Sequence, residues 1–600
     1  MRQLIILLML FVSTSGYTND LKNHASPYLA MHGDDPVQWM EWGDAALAKA
    51  KKENKLLFVS VGYFACHWCH VMHRESFKNK AIAKKLNQNY ISVKIDRELN
   101  PVVDKRLIEF VTATVGRAGW PLSVFITPDG YPLVGATYIP PKQFSNAIDD
   151  LAGRWKESHK QLRIDAEELN LKLKFALEMR ENVGSERAVA DNVDTFIKAA
   201  MENADELEGG LGSSMKFPSI PQFHALLKLN AKHNDPEIHE FLKHTLDVMA
   251  QKGLHDELAG GFYRYTVDPS WLTPHFEKML YTNALMPILY LDAAKQYDKP
   301  YYKDVALETL QFLIDEMRAE SGAFIASLSA VDDKNEEGGY YLWTQAELGK
   351  ILSKDELKLA NKAWNMDQPN ELVSGNLPMM KMRMKGLSLI FQQPEAKITE
   401  RLTALKKKLK THRNKTRVIP KDNKELTGWN GLTLAGFARA LSTDKALQPV
   451  GDKLADFLLQ QWDGKQLNRA RKSLQEGTLN DYAAVSWGLL EWAKASGNEK
   501  AKLAGEQIAK IAWNTFYIDG NWRESINQLL PEGTKQAHLT DDPMPSAEAL
   551  LIRASLLSAD EVLQEKAKKV LKHSTKAVED DPYSYASLIS ISLSKPPVQK

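Results

Sequence analysis

The hydrophobic rhythm of the chain changes near residue 190. Before that point, short apolar runs alternate with amphipathic stretches. Lys55 to Gly62 reads KLLFVSVG, a β-rich run bounded by polar residues, and predicts a buried strand. Tyr90 to Ile95 predicts the next strand, and Leu122 to Ile126, just after Pro121, a third. Pro128-Asp129-Gly130 is a turn signal, so Leu133 to Tyr138 reads as a hairpin partner. Between the first two strands, a helix opening at Cys66 is expected to run to about Leu86. Strands alternating with helices predict a small α/β sheet.

Beyond residue 190 the period becomes helical. Leu242, Leu246 and Met249 share one helical face, and Tyr482, Val485, Leu489 and Trp492 another. Roughly a dozen such helices follow in pairs, joined by Gly/Pro/Asp-containing loops. Gly261 to Tyr265 and Gly339 to Trp343 read as short β-like hairpins between them. Helical hairpins of irregular length with aromatic loops, and no sharp repeat, predict an all-α α/α toroid. Lys406 to Arg417 is very basic and reads as a solvated helix end, with an anion patch as the alternative.

Composition narrows the function. The 600 residues are 44% hydrophobic and 26% charged, which is normal for globular protein. Lys+Arg 77 against Asp+Glu 76 leaves a net charge of +1, so a strongly basic nucleic-acid binder is excluded. Met1-Arg2-Gln3, the apolar run Leu4 to Val12, and Ser13-Thr14-Ser15-Gly16 have the layout of a secretory signal peptide, with cleavage expected after Ser15 or Gly16. The run is too short for a membrane span. An exported protein, periplasmic or extracellular, with no span after cleavage, is expected. The divisions read from the sequence are 1–16 leader, 17–180 α/β domain and 181–600 toroid.

Only two cysteines occur, Cys66 and Cys69, so a disulfide-stapled scaffold is excluded. The string Cys66-His67-Trp68-Cys69-His70 follows a strand and opens a helix. There, free N–H groups and the helix dipole favour a thiolate at Cys66, and Cys69 stands one turn on to resolve a mixed disulfide. A protonated His67 would add to this. Two other chemistries fit the string. C-x-x-C-H is also the covalent haem pattern, and Cys66, Cys69, His70 and His73 lie near one helix face as zinc ligands could. Gly119-Trp120-Pro121 before a strand favours the redox reading, because in thioredoxin-like folds a cis proline there faces the cysteine pair. No cofactor beyond the Cys66–Cys69 disulfide is then needed.

Ordered blocks extend this pattern. Asn23-His24-Ala25-Ser26-Pro27-Tyr28-Leu29, Asp35-Pro36-Val37-Gln38-Trp39, Lys94-Ile95-Asp96-Arg97-Glu98, Lys216-Phe217-Pro218, Gly260-Gly261-Phe262, Pro274 to Tyr281, Trp429-Asn430-Gly431 and Asp481-Tyr482-Ala483 all appear. Together with the cysteine motif, they resemble the thioredoxin-domain family that includes spermatogenesis-associated protein 20. The resemblance implies a thioredoxin-like domain followed by a six-hairpin toroid of the glycosidase and epimerase type. Where an aspartate often stands in that family the chain has Thr282, and its counterparts of two other family blocks are Ala330-Val331-Asp332 and Pro545 to Ala549. A ligand site built on those positions would be altered.

A thiol–disulfide oxidoreductase with a protein partner is the leading expectation. Cys66 attacks, Cys69 resolves, Pro121 shapes the partner site, and an extended segment docks on the sheet edge beside Trp120. His67, Trp68, His70 and Trp120 support it. The rival is a carbohydrate-active toroid, epimerase-like or glycosidase-like, and a third reading is a non-enzymatic binding protein. For a toroid pocket, Tyr265, Trp271, Trp343 and Trp429 are candidates to stack on sugar. His275, Glu277, Asp332 and Asp481 are candidate acid/base groups. Arg264, Tyr281 and Asn430 complete the pocket, with Lys216 as an anion contact or a snorkelling surface lysine. His275 and Glu277 would diverge on a helix and converge only in a loop.

Overall fold

The computed structural model describes residues 19, 21–181, 187–370, 372–473, 475–526, 530–531 and 539–593. The expected leader lies outside them. Five strands form the first sheet: β1 (Trp39–Glu41), β2 (Leu56–Gly62), β3 (Tyr90–Asp96), β4 (Leu122–Ile126) and β5 (Pro132–Ala136). Their order is β1-β3-β2-β4-β5. β1 and β2 run parallel to β3, while β4 pairs antiparallel with β2 and β5. Every residue of β2, β3 and β4 is buried, as their continuous apolar runs require of strands covered on both faces.

The helix after Cys66 is shorter than its pattern predicts. His67–Met72 is α-helical and passes into a π turn at His73–Phe77. A new helix then starts at Lys80–Asn89. Asn79 causes the break: its side chain accepts from Ala81 N at 2.9 Å and Ile82 N at 3.3 Å, an N-cap in mid-pattern. The long helix Pro141–Glu181 bends at Ser158 and lays Phe144, Ile148 and Trp155 against the sheet layer.

The rest is an (α/α)6 toroid. Six inner helices pack in a ring: Ile220–His233, Leu280–Tyr297, Thr427–Ala440, Leu479–Ser496, Ala547–Leu557 and Ala586–Ser592, the last closing on the first. Five outer helices, Pro236–Gln251, Pro300–Phe312, Gln448–Gln460, Glu499–Phe516 and Glu561–Leu571, each back an inner one, and Val193–Glu202 packs beside the turn leading into the sixth. The inner helices are apolar all round because they are enclosed; Thr427–Ala440 buries every residue except Arg439. Gly431 lets two of them touch backbone to backbone, since a Cβ there would stand 2.6 Å from Ala484 O. Leu242, Leu246 and Met249, and the stripe from Tyr482 to Trp492, are all buried.

Two local expectations change. Gly261–Tyr265 and Gly339–Trp343 are turns and isolated bridges; the small sheet in this region is made by Lys278–Met279, Ser327–Leu328 and Lys421–Asp422. The basic stretch is a helix face in part solvated, with Lys407 and Lys415 exposed, and in part paired: Lys406 meets Glu257, Lys408 Glu356, Lys410 Asp315, and the buried Arg413 Asp256.

Candidate functional site

The cysteine loop sits where the sheet meets the barrel. β2 ends at Gly62, and the chain turns so that Cys66 becomes the N-cap of the next helix, its sulfur accepting from Cys69 N at 3.2 Å. Cys66 and Cys69 are joined as a disulfide. Only Gly62 fits beneath them, because a Cβ there would lie 2.8 Å from Cys69 Sγ and 2.9 Å from the Tyr28 ring. Val61 pairs with Leu122, so the next step of the register sets Pro121 opposite Gly62. The Trp120–Pro121 peptide is cis.

The supporting residues divide. Trp68 is 46% exposed and leans on Tyr138, whereas Cys66 and Cys69 are 3% and 2% exposed. Burial pushes His67 down to about 4, with His275 adding to the effect. It is therefore neutral at neutral pH and is not the cation that a charged His67 would supply. His70 donates from Nε2 to the Phe64 carbonyl at 2.8 Å and pins the loop. His73 turns away to Asp35 at 2.7 Å, where Asp35 also meets His32 at 2.7 Å and accepts from Trp39 Nε1 at 3.0 Å. In this structure the two sulfurs are joined, and the His70 and His73 imidazoles are bonded to the Phe64 carbonyl and to Asp35.

The barrel brings its own residues to the same place. His275 and Glu277 lie in an extended loop and converge, with His275 Nδ1 3.3 Å from Glu277 Oε1. Tyr63, three residues before Cys66, donates across to Glu277 at 2.8 Å and accepts from Arg264 Nη1 at 2.7 Å. Arg264 Nε donates to Tyr281 OH at 3.1 Å, and Trp429 packs edge-on to Tyr281. His67 stands against His275 with ring centres 6.1 Å apart, and Glu337 lies 3.7 Å from His67 and 3.8 Å from His275. Ala330 N donates to Ala65 O at 3.1 Å, so the loop of the altered family block grips the cysteine loop itself. Burial alone would raise the Glu277 carboxyl, but His275, Arg264 and Tyr63 outweigh it and hold it at about 2. Burial would lower His275, and Glu277 reverses this to a raised value.

Sequence reasoning missed a second junction. Lys424 Nζ reaches from the barrel to Asp96 at 2.6 Å, Glu98 at 3.0 Å and Asp422 at 2.6 Å, all buried. Arg469 joins Asp481 at 2.5 Å to the Glu98 carbonyl at 2.6 Å. Asp96-Arg97-Glu98, a charged cluster ending an apolar strand, was the available signal. Arg97 stacks 3.7 Å over Trp120, whose Nε1 donates to Asp104 at 2.7 Å, and Arg264 lies 5.6 Å from the same ring. The edge beside Trp120, expected to dock an extended segment, is thus occupied by Arg97 and by Arg264 of the barrel.

The other pocket candidates are structural. Trp271 and Trp343 are fully buried and Trp429 is 5% exposed, so none offers an open face to a sugar. Tyr265 is stacked between Phe217 and His275. Asp332 accepts from Lys334 N and Glu336 N and shapes a turn. Asn430 clips Phe324 by both its N–H and its carbonyl. Asp481 accepts from Thr478 N in a capping box. Lys216 is neither anion contact nor surface lysine: it is fully buried and paired with Asp205 at 2.8 Å. Thr282 is buried in the first turn of its helix, and Ser546 caps the helix after it.

A thioredoxin-like sheet with a C-x-x-C disulfide, seated on the mouth of an (α/α)6 barrel, defines a two-domain thioredoxin–toroid protein. Residues 18–174 match the family model Thioredox_DsbH, described as a protein of unknown function, DUF255. Spermatogenesis-associated protein 20 of Mus musculus is 32% identical over 535 residues, 80% of this chain and 67% of that protein. An uncharacterized protein of Caenorhabditis elegans is 28% identical over 622 residues, 95% of this chain and 84% of its own. The chain belongs to the spermatogenesis-associated protein 20 family. Among solved structures, the cellobiose 2-epimerase of Bacillus thermoamylovorans aligns at 11% identity and a TM-score of 0.43, over 67% of this chain and 98% of its own. Among the described residues no helix is long and apolar enough to cross a membrane.

Proposed function

We propose that the protein is an exported thiol–disulfide oxidoreductase. One observation carries the reading: the two cysteines close a disulfide at a helix N-terminus, with a cis proline one register step from the glycine beneath them. In the oxidised state a partner thiolate attacks Cys66 Sγ. The Cys66–Cys69 bond breaks and Cys69 leaves as a thiolate, giving a mixed disulfide on Cys66. A second partner thiolate then displaces Cys66, so the partner is oxidised to a disulfide and the protein is left as a dithiol. The reverse sequence reduces a partner disulfide.

The sulfurs are nearly covered, so on this reading the partner meets them beside Trp68, His67, Glu337 and Tyr265, residues that the sheet and the barrel bring together. On this reading the barrel selects the partner. Its His-Phe-Glu-Lys loop serves the junction with the redox domain, where a free sugar site would have needed it open.

Trapping tests the proposal. Cys69→Ser should accumulate a mixed disulfide on Cys66, and Cys66→Ser should accumulate far less. Equal, negligible trapping by both variants would overturn it. Export is tested separately by the N-terminus of mature protein, expected after Ser15 or Gly16.

A further inference from the structure

Beneath the disulfide lies the phenol of Tyr28, in the short helix Pro27–Ala30 that precedes the sheet. Ser26 fixes that helix: its hydroxyl accepts from Leu29 N at 3.2 Å and donates to Asp96 at 2.5 Å. The Tyr28 ring stands edge-on to His32, which Asp35 anchors at 2.7 Å. Lys94 Nζ, donating to Ser60 at 3.0 Å, lies 5.1 Å from the centre of the same ring. Packed on these sides, the phenol is aimed under the cysteine loop. A Cβ on Gly62 would stand 2.3 Å from the Tyr28 hydroxyl oxygen and 2.8 Å from Cys69 Sγ. Oxygen and sulfur therefore border the same methyl-sized space.

Tyr28 is fully buried, and among the described residues its hydroxyl has no hydrogen-bond partner. A hydroxyl buried unpaired works against folding. Burial, with Asp96 and Asp35 adding to it, raises this phenol well above its ordinary value, so it stays protonated and available as a donor. The two sulfurs are treated unequally. Cys66 Sγ accepts from Cys69 N at 3.2 Å, whereas no donor among the described residues reaches Cys69 Sγ in the disulfide.

Opening the disulfide changes what Cys69 needs. When a thiolate attacks Cys66 Sγ, the bonding pair of the Cys66–Cys69 bond stays on Cys69 Sγ, which becomes an anion. That residue is 2% exposed, and a thiolate kept from water is unfavourable unless a donor meets it. We propose that the Tyr28 hydroxyl is the hydrogen-bond donor to the leaving sulfur of Cys69, an inference that rests on the exchange reaction proposed for the pair. No proton changes hands: the O–H turns to the thiolate and keeps its hydrogen. When Cys69 attacks again to close the disulfide, the bond is given up. The unpaired hydroxyl of the oxidised protein is then a group held ready for the reduced one.

Tyr28→Phe in the full chain tests this, because it removes the hydroxyl and keeps the ring. The redox equilibrium with dithiothreitol in mildly alkaline buffer is read by maleimide trapping of free thiols. It should move about tenfold towards the disulfide, about 30 mV for a two-electron couple, the size of one hydrogen bond to an ion. Melting supplies the control. Oxidised Tyr28→Phe should melt no lower than wild type, since the hydroxyl is unpaired in that state, and reduced Tyr28→Phe should melt lower. An equilibrium moved by less than about threefold, or an equal loss of melting temperature in both states, would overturn the assignment. The readout needs no protein partner, so it separates from the trapping experiment. Strong trapping by Cys69→Ser with an unmoved equilibrium would remove the role of Tyr28 alone; a moved equilibrium without trapping would keep the hydrogen bond and remove the oxidoreductase.

Discussion

Glu277→Gln probes the junction most directly. The carboxylate is 1% exposed and receives Tyr63 OH at 2.8 Å, with His275 at 3.3 Å and Arg264 at 3.4 Å. Its neighbours hold it at about 2 against an ordinary 4.5. At about 1.4 kcal/mol per pH unit, that difference contributes roughly 3 kcal/mol to the folded state. The depressed value means the contribution is complete above pH 4.5 and disappears as pH falls towards 2. His275 has the opposite sign: its raised value contributes fully below 6.5 and fades as pH rises through it. The wild-type advantage over Glu277→Gln should therefore plateau between pH 4.5 and 6.5. On that plateau it should be about 3 kcal/mol, in line with the cost of breaking a buried pair. It should decline on both sides, steeply on the acid side. Urea unfolding of both proteins from pH 3 to 8, followed by tryptophan fluorescence, measures the difference. A gap below about 1 kcal/mol on the plateau, or one that does not shrink in acid, would refute the reasoning.

Three further changes separate the parts of the site. Lys424→Met removes the cation that bridges Asp96, Glu98 and Asp422 and should cost at least about 3 kcal/mol in urea; a loss under about 1 kcal/mol would mean the carboxylates are relieved by water. Gly62→Ala places a methyl 2.8 Å from Cys69 Sγ and should lower stability by about 1–3 kcal/mol; an unchanged melting curve would show the loop shifts freely. Because His67 is neutral above about pH 4, His67→Gln should leave the pH profile of disulfide reduction by dithiothreitol unchanged between pH 5 and 8. An inflection in that range, present in wild type and lost in the variant, would contradict the burial argument.

What could be read from sequence was what short-range physics sets. β2 and β3 announce themselves by apolar runs because both faces are covered, and the Cys66 motif by its place between strand and helix. The outer helices follow from their 3.6-residue stripes, and the inner ones from long runs that are apolar on every face. The break at Asn79 escaped because an N-cap within an amphipathic pattern competes with the helix only when tertiary packing turns the chain. Lys216 misled because a lysine at zero exposure is rare unless paired, and its partner Asp205 carries no sequence label as such. Trp271 and Trp343 misled for the converse reason: an aromatic in a loop looks like a sugar platform until the loop proves to be core.

The harder omission was the junction, and it follows from chemistry. Arg, His, Glu and Tyr grouped near the N-terminal ends of barrel helices suit sugar binding, and they suit a buried interdomain network equally well. Only the position of the first domain decides between them. Here that domain covers the mouth. Tyr63 bonds Glu277, Ala65 accepts from Ala330, Lys105 pairs with Glu524 at 2.7 Å, and Lys424 reaches two buried acidic side chains, Asp96 and Glu98, across the seam. Buried charge pairs of this kind are costly to break singly, so the sheet and barrel behave as one body. On the proposed reading, a partner for the disulfide meets a surface to which both domains contribute. If exchange is the reaction, its specificity resides in His275, Glu337 and Tyr265 as much as in the Cys66 loop, and a redox domain cut free of the barrel would lose selectivity while keeping its sulfurs.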